Sequence, residues 1–125
     1  MFVHGLNGHP QKTWTSKNGV FWPADLLPQF LDDLRVRVLT YGYNANVTAF
    51  TDGASKDHII HHAETLASDL YANRSVSGIS LSMNLQMKET DSLKLRRCLE
   101  RPIIFVCHSL GGLVVKRCMI HCRSV

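Results

Sequence analysis

Residues 101–112, RPIIFVCHSLGG, constrain the fold more tightly than any other stretch. The apolar run Ile103-Ile104-Phe105-Val106 predicts a buried strand over 102–106. It breaks at Cys107-His108-Ser109, and a helical pattern restarts at Leu110 and runs to Cys122. A sharp strand-to-helix turn needs small neighbours. In the G-x-S-x-G pattern the glycines two before and two after the serine relieve the crowding. Here Cys107 stands at the first glycine position and Gly111 at the second, with His108 and Leu110 beside the serine. Such a turn lifts the Ser109 hydroxyl above the C-terminal edge of the sheet. It also leaves the Leu110 N–H free at a helix N-terminus, aimed at a developing oxyanion. The competing reading is that Ser109 only caps the helix. The order strand, turn, Gly-Gly helix start favours the nucleophile.

The rest of the chain supplies partners for that strand. Met1–His4 reads as the end of a strand entering a loop rich in Gly, Asn and Pro. Trp22–Leu34 has apolar residues at helical spacing, with Pro23 suited to a first turn and Pro28 expected to bend or shorten the helix. RVRVLTY (35–41) alternates and is β-branched, so it predicts a strand. HIIHHAETLASDLYAN (58–73) places Ile59, Ala63, Leu66 and Leu70 on one helical stripe. Residues 75–100 are polar, Ser-rich and weakly periodic, and read as an insertion or mobile loop, with a short helix over 92–100. Strands alternating with helices imply an α/β fold with a parallel sheet and right-handed crossovers.

The loop after the first strand, Phe2-Val3-His4-Gly5-Leu6-Asn7-Gly8, is where an elbow serine of this kind finds a second oxyanion donor. The candidate is the Leu6 N–H, with His4 and Gly5 shaping the loop. Tyr41-Gly42-Tyr43-Asn44 ends a strand at the same sheet edge and is expected to border the site. FVHGLNGHPQKTW, FWPADLLP, RVLTYGYNA, HAETLASDL and RPIIFVCHSLGGLVVK together resemble the α/β-hydrolase serine esterase domains. The serine-active-site-containing, lipase-like proteins of mitochondria and endoplasmic reticulum are among them, as are N-terminal domains of fungal proteins. The resemblance implies a partial α/β-hydrolase fold acting on acyl esters or phospholipids. It implies Ser109 as nucleophile, Leu6 and Leu110 as oxyanion donors, and His4, Gly5, Cys107, His108 and Gly111 as support. It also implies an intracellular mitochondrial or endoplasmic-reticulum setting, with room for peripheral membrane association and for downstream domains of a longer protein.

The triad order in that fold is Ser, then Asp or Glu, then His. The sixteen residues after Ser109 contain no Asp or Glu. Their one histidine, His121, lies about 18 Å down the helix at 1.5 Å per residue. Residues 1–125 are therefore expected to be the N-terminal half of a hydrolase domain, cut after the elbow helix. Later strands would be missing from the sheet, and the helix face carrying Leu113, Val114, Cys118 and Met119 would lack cover. The alternative is a catalytically inactive hydrolase-like interaction or membrane-associated module.

Charge and cysteine usage narrow the classes further. Net charge is +4, with five Lys/Arg against seven Asp/Glu over 1–73 and nine against three over 74–125. No aromatic residues interleave with the basic ones, so solvated faces are expected rather than nucleic-acid binding. Cys98, Cys107, Cys118 and Cys122 lack metal-type spacing and read as small apolar residues in a reducing compartment. His58, His61, His62 and Glu64 offer no convincing third ligand and read as a solvated helix face; no metal and no cofactor are expected. Trp14, Phe21 and Trp22 read as core or loop anchors, with an acyl-pocket lining as the alternative.

Overall fold

Alternation along two residues decides the layering. The computed structural model describes residues 1–31, 36–46, 55–82 and 101–124, with the backbone alone at 55–56, 75–82 and 124. Strand β1 (Phe2–Val3) is central. Phe2 points to one face of the sheet, edge-on to Trp14 at 5.2 Å and Trp22 at 4.9 Å. Val3 points to the other face, into a core with Tyr41, Ala63, Leu66, Val114, Val115 and Cys118. Trp14 and Trp22 thus anchor one face of β1.

Three parallel strands stand in the order β2-β1-β3. Strand β2 (Thr40–Tyr41) pairs Phe2 with Thr40 and Val3 with Tyr41; strand β3 (Val106–Cys107) pairs the same residues with Val106 and Cys107. The β1–β2 connection holds helix α1 (Trp22–Asp25) and a 3₁₀ turn over Leu27–Phe30. The helix expected over 22–34 is shortened before Pro28, which lacks an N–H and cannot continue the α-ladder, as its position predicts; 32–34 lie outside the described residues. Asp25 closes α1 from within, its carboxylate accepting the Phe21 N–H at 2.7 Å.

Helix α2 (Ser55–Ser82) and helix α3 (Leu110–Ser124) pack together over the Val3 face. The predicted stripe holds: Ala63 and Leu66 are fully buried, with Ile59 and Leu70 packed against them. On α3, Val114, Val115 and Cys118 are buried at helical spacing. Each buried Val or Leu contributes about 2 kcal/mol by removal from water.

Three expectations need correction. Of the strand expected over 35–41, residue 35 lies outside the described residues, and 36–41 hold a ladder of two residues, Thr40–Tyr41, extended by the Phe2 N–H to Leu39 C=O bond at 2.7 Å. Helix α2 runs past Asn73 to Ser82, into the segment read as an insertion; 83–100, including Cys98 and the short helix expected from 92, lie outside the described residues. The expected buried strand 102–106 is instead Val106–Cys107, and Ile104 is 77 % exposed. The cause is position: β3 is an edge strand, and among the described residues nothing pairs with its outer side. Cover on α3 is likewise divided. Val114 and Cys118 are buried, whereas Leu113, Met119 and Ile120 are about half exposed.

Candidate functional site

Connections leaving β1 and β3 part to opposite faces of the sheet. The one from β1 runs to Trp14 and Trp22; the one from β3 becomes α3 over the Val3 core. In open parallel sheets, ligands bind outside the strand C-termini at such a parting. The loops meeting there are Gly5–Gly8 and Cys107–Gly112.

Ser109 sits in the left-handed region, φ 50°, where a residue with a Cβ pays for its conformation. Strain of this kind costs about 1–3 kcal/mol and collects at functional positions. Its side chain is exposed. The turn is closed by Gly111 N–H to His108 C=O and Gly112 N–H to Ser109 C=O, both 3.0 Å. The His108 N–H bonds Val3 C=O at 3.0 Å and ties the elbow to β1.

The glycines explain why the two loops approach so closely. A Cβ on Gly111 would strike the carbonyl oxygens of Val3 and, at 2.5 Å, His4. One on Gly5 would come 2.6 Å from His108 O and 2.7 Å from Ser109 Cβ. The backbone at Gly5 therefore passes directly against Ser109. Cys107 does not prevent the turn. The nearest atom to a Cβ on Gly112 would be the Cys107 Cβ, at 3.9 Å, an ordinary contact. Partial burial raises the Cys107 thiol pKa above its usual value, and the positive Met1 amine nearby opposes the shift.

His4 is fully buried at the end of β1. Its Nδ1 lies 3.0 Å from Gly5 O, its Nε2 accepts the Tyr43 N–H at 3.3 Å, and its carbonyl accepts the Tyr43 hydroxyl at 2.9 Å. Gly8 N–H also reaches Gly5 O, at 2.9 Å, and Asn7, at φ 52°, donates its N–H to Ala45 O at 2.7 Å. Leu6 is 42 % exposed, and neither its N–H nor that of Leu110 has an acceptor among the described residues.

Ser109, Leu6, Leu110, His4, Gly5, Cys107, His108 and Gly111 are thus gathered at one sheet edge. His121 is not among them; its Nδ1 faces Glu64 of α2 at 4.0 Å. The reading of His58, His61 and His62 as one solvated face is corrected. His62 packs on the Tyr43 ring at 4.9 Å, and its carbonyl accepts the Tyr41 hydroxyl at 3.0 Å. Burial lowers its pKa, against a bond to the Asn44 backbone and with help from His61, His58 and His4. Burial pushes Tyr43 up to about 12, aided by nearby Tyr41 and Cys107. Sequence reasoning placed Tyr43 only at the border of the site and did not single out Gly8 or Ala45. The repeated glycine of HGLNG was the available signal for Gly8.

The chain is similar to Protein SERAC1 of Danio rerio. Identity is 30% over 136 aligned residues, covering 96% of this chain. The chain spans 18% of that relative's length. No family model matches the chain, and no solved structure matches it. Among the described residues no helix is long and apolar enough to cross a membrane.

Proposed function

We propose that residues 1–125 form the N-terminal half of an α/β-hydrolase domain acting on acyl esters or phospholipids. The observation that carries this reading is Ser109, exposed and strained at φ 50° between β3 and α3, with the Gly5 backbone against it. Similarity to Protein SERAC1 across nearly the whole chain supports it, as does the unpaired outer edge of β3 among the described residues.

In this reading the Ser109 oxygen attacks the ester carbonyl carbon while its proton passes to a base. The carbonyl oxygen takes the negative charge and is met by the N–H groups of Leu6 and Leu110. Collapse expels the alcohol, which takes the proton. Water then hydrolyses the acyl-serine and regenerates the hydroxyl. Base and orienting acid come from sequence outside these 125 residues. The setting is a mitochondrial or endoplasmic-reticulum membrane surface.

Hydrolysis of p-nitrophenyl esters and phospholipid vesicles by the full-length protein and its Ser109→Ala variant tests the proposal. Loss of at least about 10³-fold in kcat is expected from removing the nucleophile. Undiminished turnover in the variant would overturn it. The alternative is a non-catalytic interaction or membrane module. A folded full-length wild type with no turnover supports that alternative.

A further inference from the structure

The Gly5–Leu6 peptide supplies the Leu6 N–H, and the structure grips that peptide by its oxygen. Gly5 O accepts from Gly8 N–H at 2.9 Å and faces His4 Nδ1 at 3.0 Å. A trans peptide points its N–H opposite its carbonyl. Fixing the Gly5 oxygen therefore fixes the direction of the Leu6 N–H.

The contact to Nδ1 is a hydrogen bond only if that nitrogen carries the ring proton. The Tyr43 backbone N–H decides this. It can only donate, and it donates to Nε2 at 3.3 Å. Nε2 is then the acceptor and Nδ1–H the donor to Gly5 O. Tyr43 holds His4 in two further ways. Its hydroxyl donates to His4 O at 2.9 Å, and its ring stacks on the imidazole at 4.5 Å and 12°. Two residues on, Ala45 O accepts the Asn7 N–H at 2.7 Å, so the segment leaving β2 holds the loop on both sides of Leu6. Tyr43 is itself braced by Tyr41 at 5.7 Å and His62 at 4.9 Å.

We propose that Tyr43 is a positioning residue: by setting the His4 tautomer and holding its carbonyl, it aims the Leu6 N–H at the charge that develops beside Ser109. The inference rests on the acyl-transfer reading of the site.

The test uses the full-length protein. Saturable inactivation by a fluorophosphonate gives KI and kinact separately, as the Ser109 oxygen displaces fluoride from phosphorus. Tyr43→Phe should lower kinact about tenfold, on the order of one lost hydrogen bond, with KI within about twofold because binding itself is left intact. ¹⁵N spectra of the wild type should show His4 protonated at Nδ1 and bare at Nε2. Labelling of wild type and Tyr43→Phe at equal rates overturns the hydroxyl's part in the positioning and leaves the hydrolase reading standing, while the backbone N–H that phenylalanine keeps is tested by the ¹⁵N spectra. The opposite tautomer in the wild type overturns it without any variant. If the folded wild type is not labelled at Ser109, the hydrolase reading falls. Amide exchange then decides whether Tyr43 holds the loop at all: the bonded amides of Asn7 and Gly8 exchanging about tenfold faster in Tyr43→Phe supports that hold, and unchanged exchange ends it.

Discussion

Gly111 and Gly112 are neighbours in sequence with opposite predicted responses to a methyl group. An alanine Cβ at 111 would strike the Val3 carbonyl oxygen and lie 2.5 Å from that of His4, against a floor near 3.0 Å for real Cβ contacts. Both obstacles are backbone atoms at the end of the central strand, so no side chain can swing aside. The start of α3 must back away by about half an ångström or more. That shift also loosens the 3.0 Å His108 N–H to Val3 C=O bond. Overpacking of this kind costs about 1–3 kcal/mol, and a weakened buried hydrogen bond about 1 kcal/mol more. Gly111→Ala should therefore lose about 2–4 kcal/mol. In a complete domain of about twice this length, where 1 kcal/mol shifts Tm by roughly 2–4 °C, Tm falls by about 4–16 °C. At Gly112 the nearest atom is 3.9 Å away. There alanine gains helix propensity, up to about 1 kcal/mol, and Tm should hold or rise. Thermal unfolding followed by far-UV circular dichroism reads both variants. Equal melting of Gly111→Ala and Gly112→Ala would refute the close approach of elbow and first strand.

Three further outcomes follow from packing and titration. Leu66, fully buried between α2 and the sheet, should lose about 2–5 kcal/mol as Leu66→Ala in denaturant unfolding, whereas the exposed Leu113→Ala should lose under about 1 kcal/mol. Tyr41 and Tyr43 are both pushed from 10 to about 12, chiefly by burial. Because the folded values exceed the unfolded ones, their stabilisation is complete below pH 10 and is lost as pH climbs toward 12. Tyrosinate absorbance should show both titrating late, and normal titration of both in folded protein would contradict the packing. Burial, then the neighbouring Cys122, raises Cys118 to about 11. Alkylation at pH 8 should reach exposed Cys122 at least about tenfold before Cys118, as peptide mapping would show.

The elbow was legible because its signals are local. A strand pattern, a small residue and a glycine pair act within a dozen positions, and they survive as Ser109 at φ 50° with Gly111 wedged under β1. The α2 stripe was legible for the same reason: Ala63 and Leu66 fall where period 3.6 puts them. Strand length was not. Ile103 and Ile104 have strand composition, but ladder length depends on partners far along the chain, and β3 has one only at β1. His62 was misread because a helical wheel does not reveal that Tyr43 lies across from it. The hold of Tyr43 on His4 joins residues thirty-nine positions apart, and no local pattern announces it.

Mapping the fluorophosphonate adduct by peptide mass spectrometry tests the central claim most directly. The account predicts a single phosphonylated residue in the folded full-length protein, Ser109, with the adduct abolished in Ser109→Ala. A folded protein that carries no adduct at Ser109, or carries it on another serine, contradicts it.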